Sequence, residues 1–102
     1  MLELRPNCEW CDKDLPADAG DARICSYECT FCADCVDRHL SNVCPNCGGG
    51  FEKRPVRPAT AWRDGVGRAH QKPSDQRRSL KYDAADIAAH VARIKDLAPG
   101  DR

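Results

Sequence analysis

Long apolar runs, aromatic side chains and net charge are all scarce in this chain of 102 residues. Aromatics make up 6% of it, two each of Phe, Trp and Tyr, so a large aromatic core is excluded. No apolar run approaches the ~18 residues that a membrane-spanning helix needs, and the sequence predicts no membrane partner. The opening "MLELRPNCEW" carries a proline and acids where a secretory signal carries an apolar stretch. The expectation is a cytoplasmic protein, where glutathione keeps thiols reduced and disulfides are the weaker explanation for many cysteines. Arg and Ala outnumber Lys and Ile, as in GC-rich bacterial genomes.

Against this thin background stand eight cysteines, all between Cys8 and Cys47. They run Cys8-x2-Cys11, Cys25-x3-Cys29, Cys32-x2-Cys35 and Cys44-x2-Cys47. A C-x2-C turn aims two sulfurs at one ion, and tetrahedral Zn2+ takes four sulfurs at about 2.3 Å. Eight thiolates in four close pairs therefore predict two closed structural Zn2+ sites, two ions per chain. "CTFCADC" also has the C-x2-C-x2-C run of iron–sulfur ferredoxins, but there a fourth Cys follows after three residues, whereas Cys44 arrives after eight. A redox dithiol would account for one pair, not for four. If close pairs stay together, three ways of sharing the ions exist, and spacing does not choose among them.

The metal answers an energetic need. In residues 1–50 the useful large apolar side chains are Leu15, Ile24, Phe31, Val36, Leu40 and Val43. They cannot offset the entropy of ordering that length of chain, at over ~1 kcal/mol per residue. Structural Zn2+ contributes on the order of 10 kcal/mol per site.

The zero net charge hides a partition. Residues 1–50 hold four basic and nine acidic side chains, residues 51–81 nine and three, and residues 82–102 three and four. The middle segment has few apolar residues and no period of 2 or 3.6, so residues 52–81 read as a flexible or extended basic linker, solvated or folded back on the head. Its Arg54, Arg57, Arg63, Arg68, Arg77 and Arg78, with Trp62 to stack on a base, are candidates for nucleic-acid binding. In residues 82–102, Asp83 with Asp86 predicts a helix start, and Pro99-Gly100 marks its stop. Ile87, Val91 and Ile94 form one apolar stripe that is stable only if docked on the head, on a second copy or in a partner's groove, and otherwise frays in solution.

The order of pairs, with "CTFCADCVDRHL" and then "CPNC", resembles a RING finger from Cys8 to Cys47. Cys29 stands where RINGs usually have His. The resemblance implies a small metal-stabilised α+β fold of RING-like or treble-clef type over residues 1–51. It also implies interleaved ligation, with Cys8, Cys11, Cys32 and Cys35 on one ion and Cys25, Cys29, Cys44 and Cys47 on the other. It further implies a partner groove at Trp10, Leu40 and Pro45. In ubiquitin-ligase RINGs a basic residue often follows the last ligand; here it is Gly48, and no aromatic lies between Cys35 and Cys44. The start "MLELRPNCEWCDKDLPADAGDARICSYECTFCADC" is similar throughout to a family of short bacterial proteins known only as a domain of unknown function, over roughly residues 1–58.

His39, His70 and His90 read as surface residues, since the cysteines already fill two tetrahedra. Asp34 and Asp37 have no nucleophile or open metal position to serve, and no catalytic constellation emerges. The sequence thus predicts a non-enzymatic zinc module that binds an unidentified protein. The alternatives are a nucleic-acid-associated regulator using the basic segment, a zinc-thiolate redox sensor, and a RING-type ubiquitin ligase.

Overall fold

The structure is a computed structural model that describes residues 1–102. At its centre β1 (Ala22–Ile24) pairs antiparallel with β2 (Thr30–Cys32) on one side and β3 (Glu52–Lys53) on the other. Arg23 lies opposite both Phe31 and Lys53. The β1–β2 connection is made by the second cysteine pair. Cys25 N donates to Cys29 O (3.2 Å), Glu28 N donates to Cys25 O (3.0 Å), and Glu28 takes a left-handed φ of 68°. β2 runs directly into α1 (Ala33–Cys35), and Val36–Leu40 extends it as a wider turn that ends at left-handed Ser41.

The core is small and rich in sulfur. Phe31 meets Phe51 edge-on at 5.4 Å, and Leu15, Val36, Leu40 and Val43 pack around them. Six of the fifteen residues in this buried cluster are cysteines. Sulfur fills space that larger apolar side chains occupy in a bigger domain. Ile24, expected in the core, is only half-buried, at the end of the central strand where β1 gives way to the turn through the exposed Ser26 and Tyr27.

α2 (Ala84–Ile94) starts as the sequence predicts: Asp83 Oδ1 accepts from Asp86 N at 2.8 Å. Its stripe docks on its own head. Ile87 and Val91 join the buried cluster, with Ile94 half-buried beside it. His90 Nε2 lies 3.0 Å from the Cys44 carbonyl, and the chain end follows, with Arg102 donating to Asn42 O (2.8 Å) and Gly48 O (3.2 Å).

The basic segment follows the sheet. Beyond β3 it has almost no regular structure, yet it lies along the head and is tied to it repeatedly. Arg54 is buried and donates to the carbonyls of Arg5 (2.8 Å), Leu15 (3.1 Å) and Pro16 (2.9 Å). Arg57 donates to Leu2 O and Gln71 O, and Ser74 N to Leu4 O. Arg77 forks onto Asp12 and Asp14, and Arg78 reaches Glu3. Opposite charge on the acidic head draws the basic segment down, which composition alone could not locate.

Candidate metal centres

The fold gathers the cysteines into two sets. Cys8 and Cys11 sit on the N-terminal turn, Cys32 at the end of β2 and Cys35 in α1, with all four sulfurs within 4.8 Å of one another. Cys11 Sγ and Cys32 Sγ are 3.8 Å apart. A tetrahedral metal–sulfur bond of about 2.3 Å separates the sulfurs by about 3.8 Å, so this set has the dimensions of a four-thiolate site. In the second set Cys25, Cys44 and Cys47 lie within 4.8 Å of one another; Cys29 stands outside that mutual distance, yet near enough for its thiol to shift those of Cys25 and Cys44. All eight thiols are free of disulfides. The two clusters could each hold a metal ion.

Local backbone geometry explains why these pairs converge. After Cys11 and after Cys47 the chain must turn back, and it does so with left-handed residues, Asp12 (φ 63°) and Gly48 (φ 80°). The closing hydrogen bonds are Asp12 N to Cys8 O (3.0 Å) and Gly48 N to Cys44 O (2.8 Å). Amides two residues on point at the sulfurs: Tyr27 N to Cys25 Sγ at 3.3 Å and Gly49 N to Cys47 Sγ at 3.4 Å. Cys35 N likewise donates to Cys32 Sγ at 3.5 Å. Such N–H groups hold sulfur as thiolate, the form that binds metal.

Protons are divided unequally within the sets. Hydrogen bonds from the Cys29 and Cys44 thiols lower Cys25 to about 4. Burial pushes Cys8 and Cys35 up, and the neighbouring Cys25 and Cys29 push Cys44 up. Several thiolates cannot share so small a space without a cation, and a bound dication would replace those protons.

Two buried polar residues, not anticipated from sequence, hold the surroundings of the cysteines: Glu9 joins the two sets, and Asn7 ties the first turn to the basic segment. Glu9 Oε2 accepts from Thr30 N (2.7 Å) and Arg5 Nη1 (3.3 Å), while Oε1 accepts from Asn46 Nδ2 (3.3 Å). It therefore bridges the first turn, the β2 strand and the last turn. Burial raises its carboxyl above the usual range. Asn7 Nδ2 donates to Asp12 Oδ1 (2.9 Å) and Arg78 O (2.8 Å), and its Oδ1 accepts from Arg78 N (3.1 Å). An acid or amide inside a cysteine turn ordinarily reads as solvent-facing, so no local signal distinguished them.

The first 57 residues match the family described as "Protein of unknown function (DUF1272)". The chain belongs to this family. The DUF1272 portion spans the sheet, both cysteine sets and Arg54, and ends at Arg57. Among relatives, the "Uncharacterized protein R02474" of Rhizobium meliloti (strain 1021) is 65% identical over 60 residues, 59% of this chain and 71% of that protein. No solved structure matches the chain. Nothing in the fold is long and apolar enough as a helix to cross a membrane.

The remaining sites inferred from sequence scatter. Leu40, Pro45, Ile87 and Val91, expected to meet a partner, are buried in this DUF1272 protein, and Ile94 is half-covered. Leu40, Ile87 and Val91 share one buried cluster, with Ile94 against it, because α2 closes over the head from within the same chain. Trp10 remains half-exposed and stacks on His39 at 4.6 Å with rings 6° apart. His90, expected at the surface, is turned toward the Cys44 carbonyl. Of the nucleic-acid candidates, Arg54, Arg57, Arg77 and Arg78 are engaged with the head, whereas Trp62 and Arg63 face solvent and Arg68 is half-exposed.

Proposed function

We propose that this chain is a two-zinc structural module of RING-like, treble-clef type, that it scaffolds a protein–protein interaction, and that it catalyses no reaction itself. One observation carries the reading: the eight thiols fall into two sets interleaved along the chain. Zn2+ is the ion that favours four sulfurs in a tetrahedron and brings no redox chemistry of its own. A site closed by four thiolates has no open position to activate water or polarise a substrate. The hairpin β1–β2 leading into α1, with a cysteine turn on either side, supports the RING-like order. Burial of Leu40 and Pro45 and the α2 residues over Gly48 argue against ubiquitin transfer. A shallow groove of about 260 Å³ beside the second set, walled by Tyr27, Ile94, Leu97 and Pro99, supports a protein as partner.

Elemental analysis should return two zinc ions per chain, and cobalt substitution should give the absorption of tetrahedral cobalt–thiolate. One zinc, or iron-cluster absorbance, would overturn the reading. A photo-crosslinker replacing Tyr27 should capture a discrete protein in the host, and an adduct that survives Leu97→Asp would exclude the groove. Stimulated discharge of a conjugating enzyme, lost on Trp10→Ala, would make the protein a ligase instead.

The exposure of Cys11 and Cys47, one in each set, favours a second reading as a zinc-thiolate redox sensor. Peroxide at low concentration should then release zinc before the protein unfolds.

A further inference from the structure

The basic side chains of residues 54–78 divide into two groups. Arg54, Arg57, Arg77 and Arg78 point back and hydrogen-bond to the head. Arg63, Arg68 and Lys72 form none of the ion pairs of the chain. These three lie on or beside a loop, residues 58–71, that is closed on itself. Arg68 N donates to Pro58 O (2.8 Å), Gly67 N to Gln71 Oε1 (3.1 Å) and Gln71 Nε2 to Gly65 O (2.9 Å). Arg57 Nη1 fixes the loop base through Gln71 O (2.8 Å). Gly67, at φ 150°, lets the two sides pass, since a Cβ there would stand 3.2 Å from Pro58 O.

This ordered loop presents Trp62 80% exposed, with Val66 54% exposed. A large ring left in water on a loop held by its own hydrogen bonds has no packing role. The loop lines no cavity: none of the five surface hollows includes a residue between 58 and 76. Nothing there would receive the apolar side chain of a peptide. A flat aromatic face on a loop that also carries unpaired cations instead suits a nucleobase and its phosphates, which need no pocket. No helix is offered to a duplex groove.

We propose that this loop is a stacking platform for single-stranded nucleic acid, with Trp62 against a base and Arg63, Arg68 and Lys72 on phosphates. Asp64 opposes the cations within the loop and the acidic head opposes them beyond it, so binding is weak and strongly salt-dependent.

The test uses the full zinc-loaded chain and a fluorescent oligothymidylate of about ten nucleotides, followed by anisotropy at low and raised salt. Binding is expected, with a log–log salt slope of about −2 for three phosphates at ~0.7 each. Trp62→Ala should weaken it at least about five-fold, and Arg63→Gln with Arg68→Gln should flatten the slope. Zinc content and far-ultraviolet circular dichroism check that the variants fold. No binding at low salt, unchanged affinity in Trp62→Ala, or equal competition by duplex DNA would overturn the proposal. Equal competition by a polyglutamate peptide would also overturn it and point to an acidic protein instead.

Discussion

Replacing Arg54 with methionine should destabilise the protein by about 3 kcal/mol. The guanidinium is 1% exposed, faces no carboxylate, and is solvated by three carbonyls, those of Arg5, Leu15 and Pro16. Hydrogen bonds from a charged donor are worth about 1.5–3 kcal/mol each, so three give roughly 4–9 kcal/mol gross. Burial lowers the pKa of the arginine, the sign of a desolvation cost. Returning that charge to nowhere recovers several kcal/mol. Methionine keeps the stem but leaves the carbonyls of Arg5 and Leu15 without a donor, while Pro16 O keeps the Ala19 amide (2.9 Å), and the difference of the two terms is a net loss of about 2–4 kcal/mol. Arg54→Lys should lose less, because one ammonium keeps the charge but cannot fork across all three oxygens. Chemical unfolding at fixed excess zinc measures both, with Arg93→Ala on the exposed face of α2 as a control expected within ~0.5 kcal/mol. In a thermal scan the methionine variant should melt on the order of 10–20 °C lower. If Arg54→Met matched the control, the arginine would belong to a loose linker after all, and the docking of residues 54–78 would be refuted.

Chelation should remove the folded structure altogether, read by circular dichroism, because the apolar core is too small to persist without metal; native-like spectra in excess chelator would refute this. Gly48→Ala should cost about 1–2 kcal/mol, from the left-handed φ and a Cβ 3.3 Å from Ile94 Cδ1, and unchanged unfolding would remove the argument for close packing of α2 there. Ile87→Ser should cost about 3 kcal/mol or more while Ala88→Ser on the exposed side is near neutral; equal small effects would mean α2 is not docked. Glu9→Gln should cost about 1–3 kcal/mol and speed zinc transfer to a colorimetric chelator, since all three of its partners are donors and an amide must turn its NH2 toward one of them. Zinc transfer as slow as wild type would show that Glu9 does not couple the two centres.

Sequence spacing was enough to mark eight cysteines as candidate metal ligands, because a C-x2-C turn is local and its chemistry does not depend on the rest of the fold. The start of α2 was equally local: Asp83 satisfies the Asp86 amide within one turn, and the Ile87–Val91–Ile94 stripe follows from helical period. Which sulfurs meet was not local. Cys8 and Cys32 come together only because β2 returns beside β1 and the N-terminal turn pairs with Thr30, where Glu9 N donates to Thr30 O at 3.0 Å. The stripe on α2 could face a partner, a copy or the head, and the surface left bare at Val43, Cys44 and Gly48 decided for the head. The basic segment was hardest to read, since charge composition is the same whether an arginine is solvated or buried. Only the carbonyls converging on Arg54, and the absence of any such partners around Arg63, separate the arginines that hold the fold from those left free.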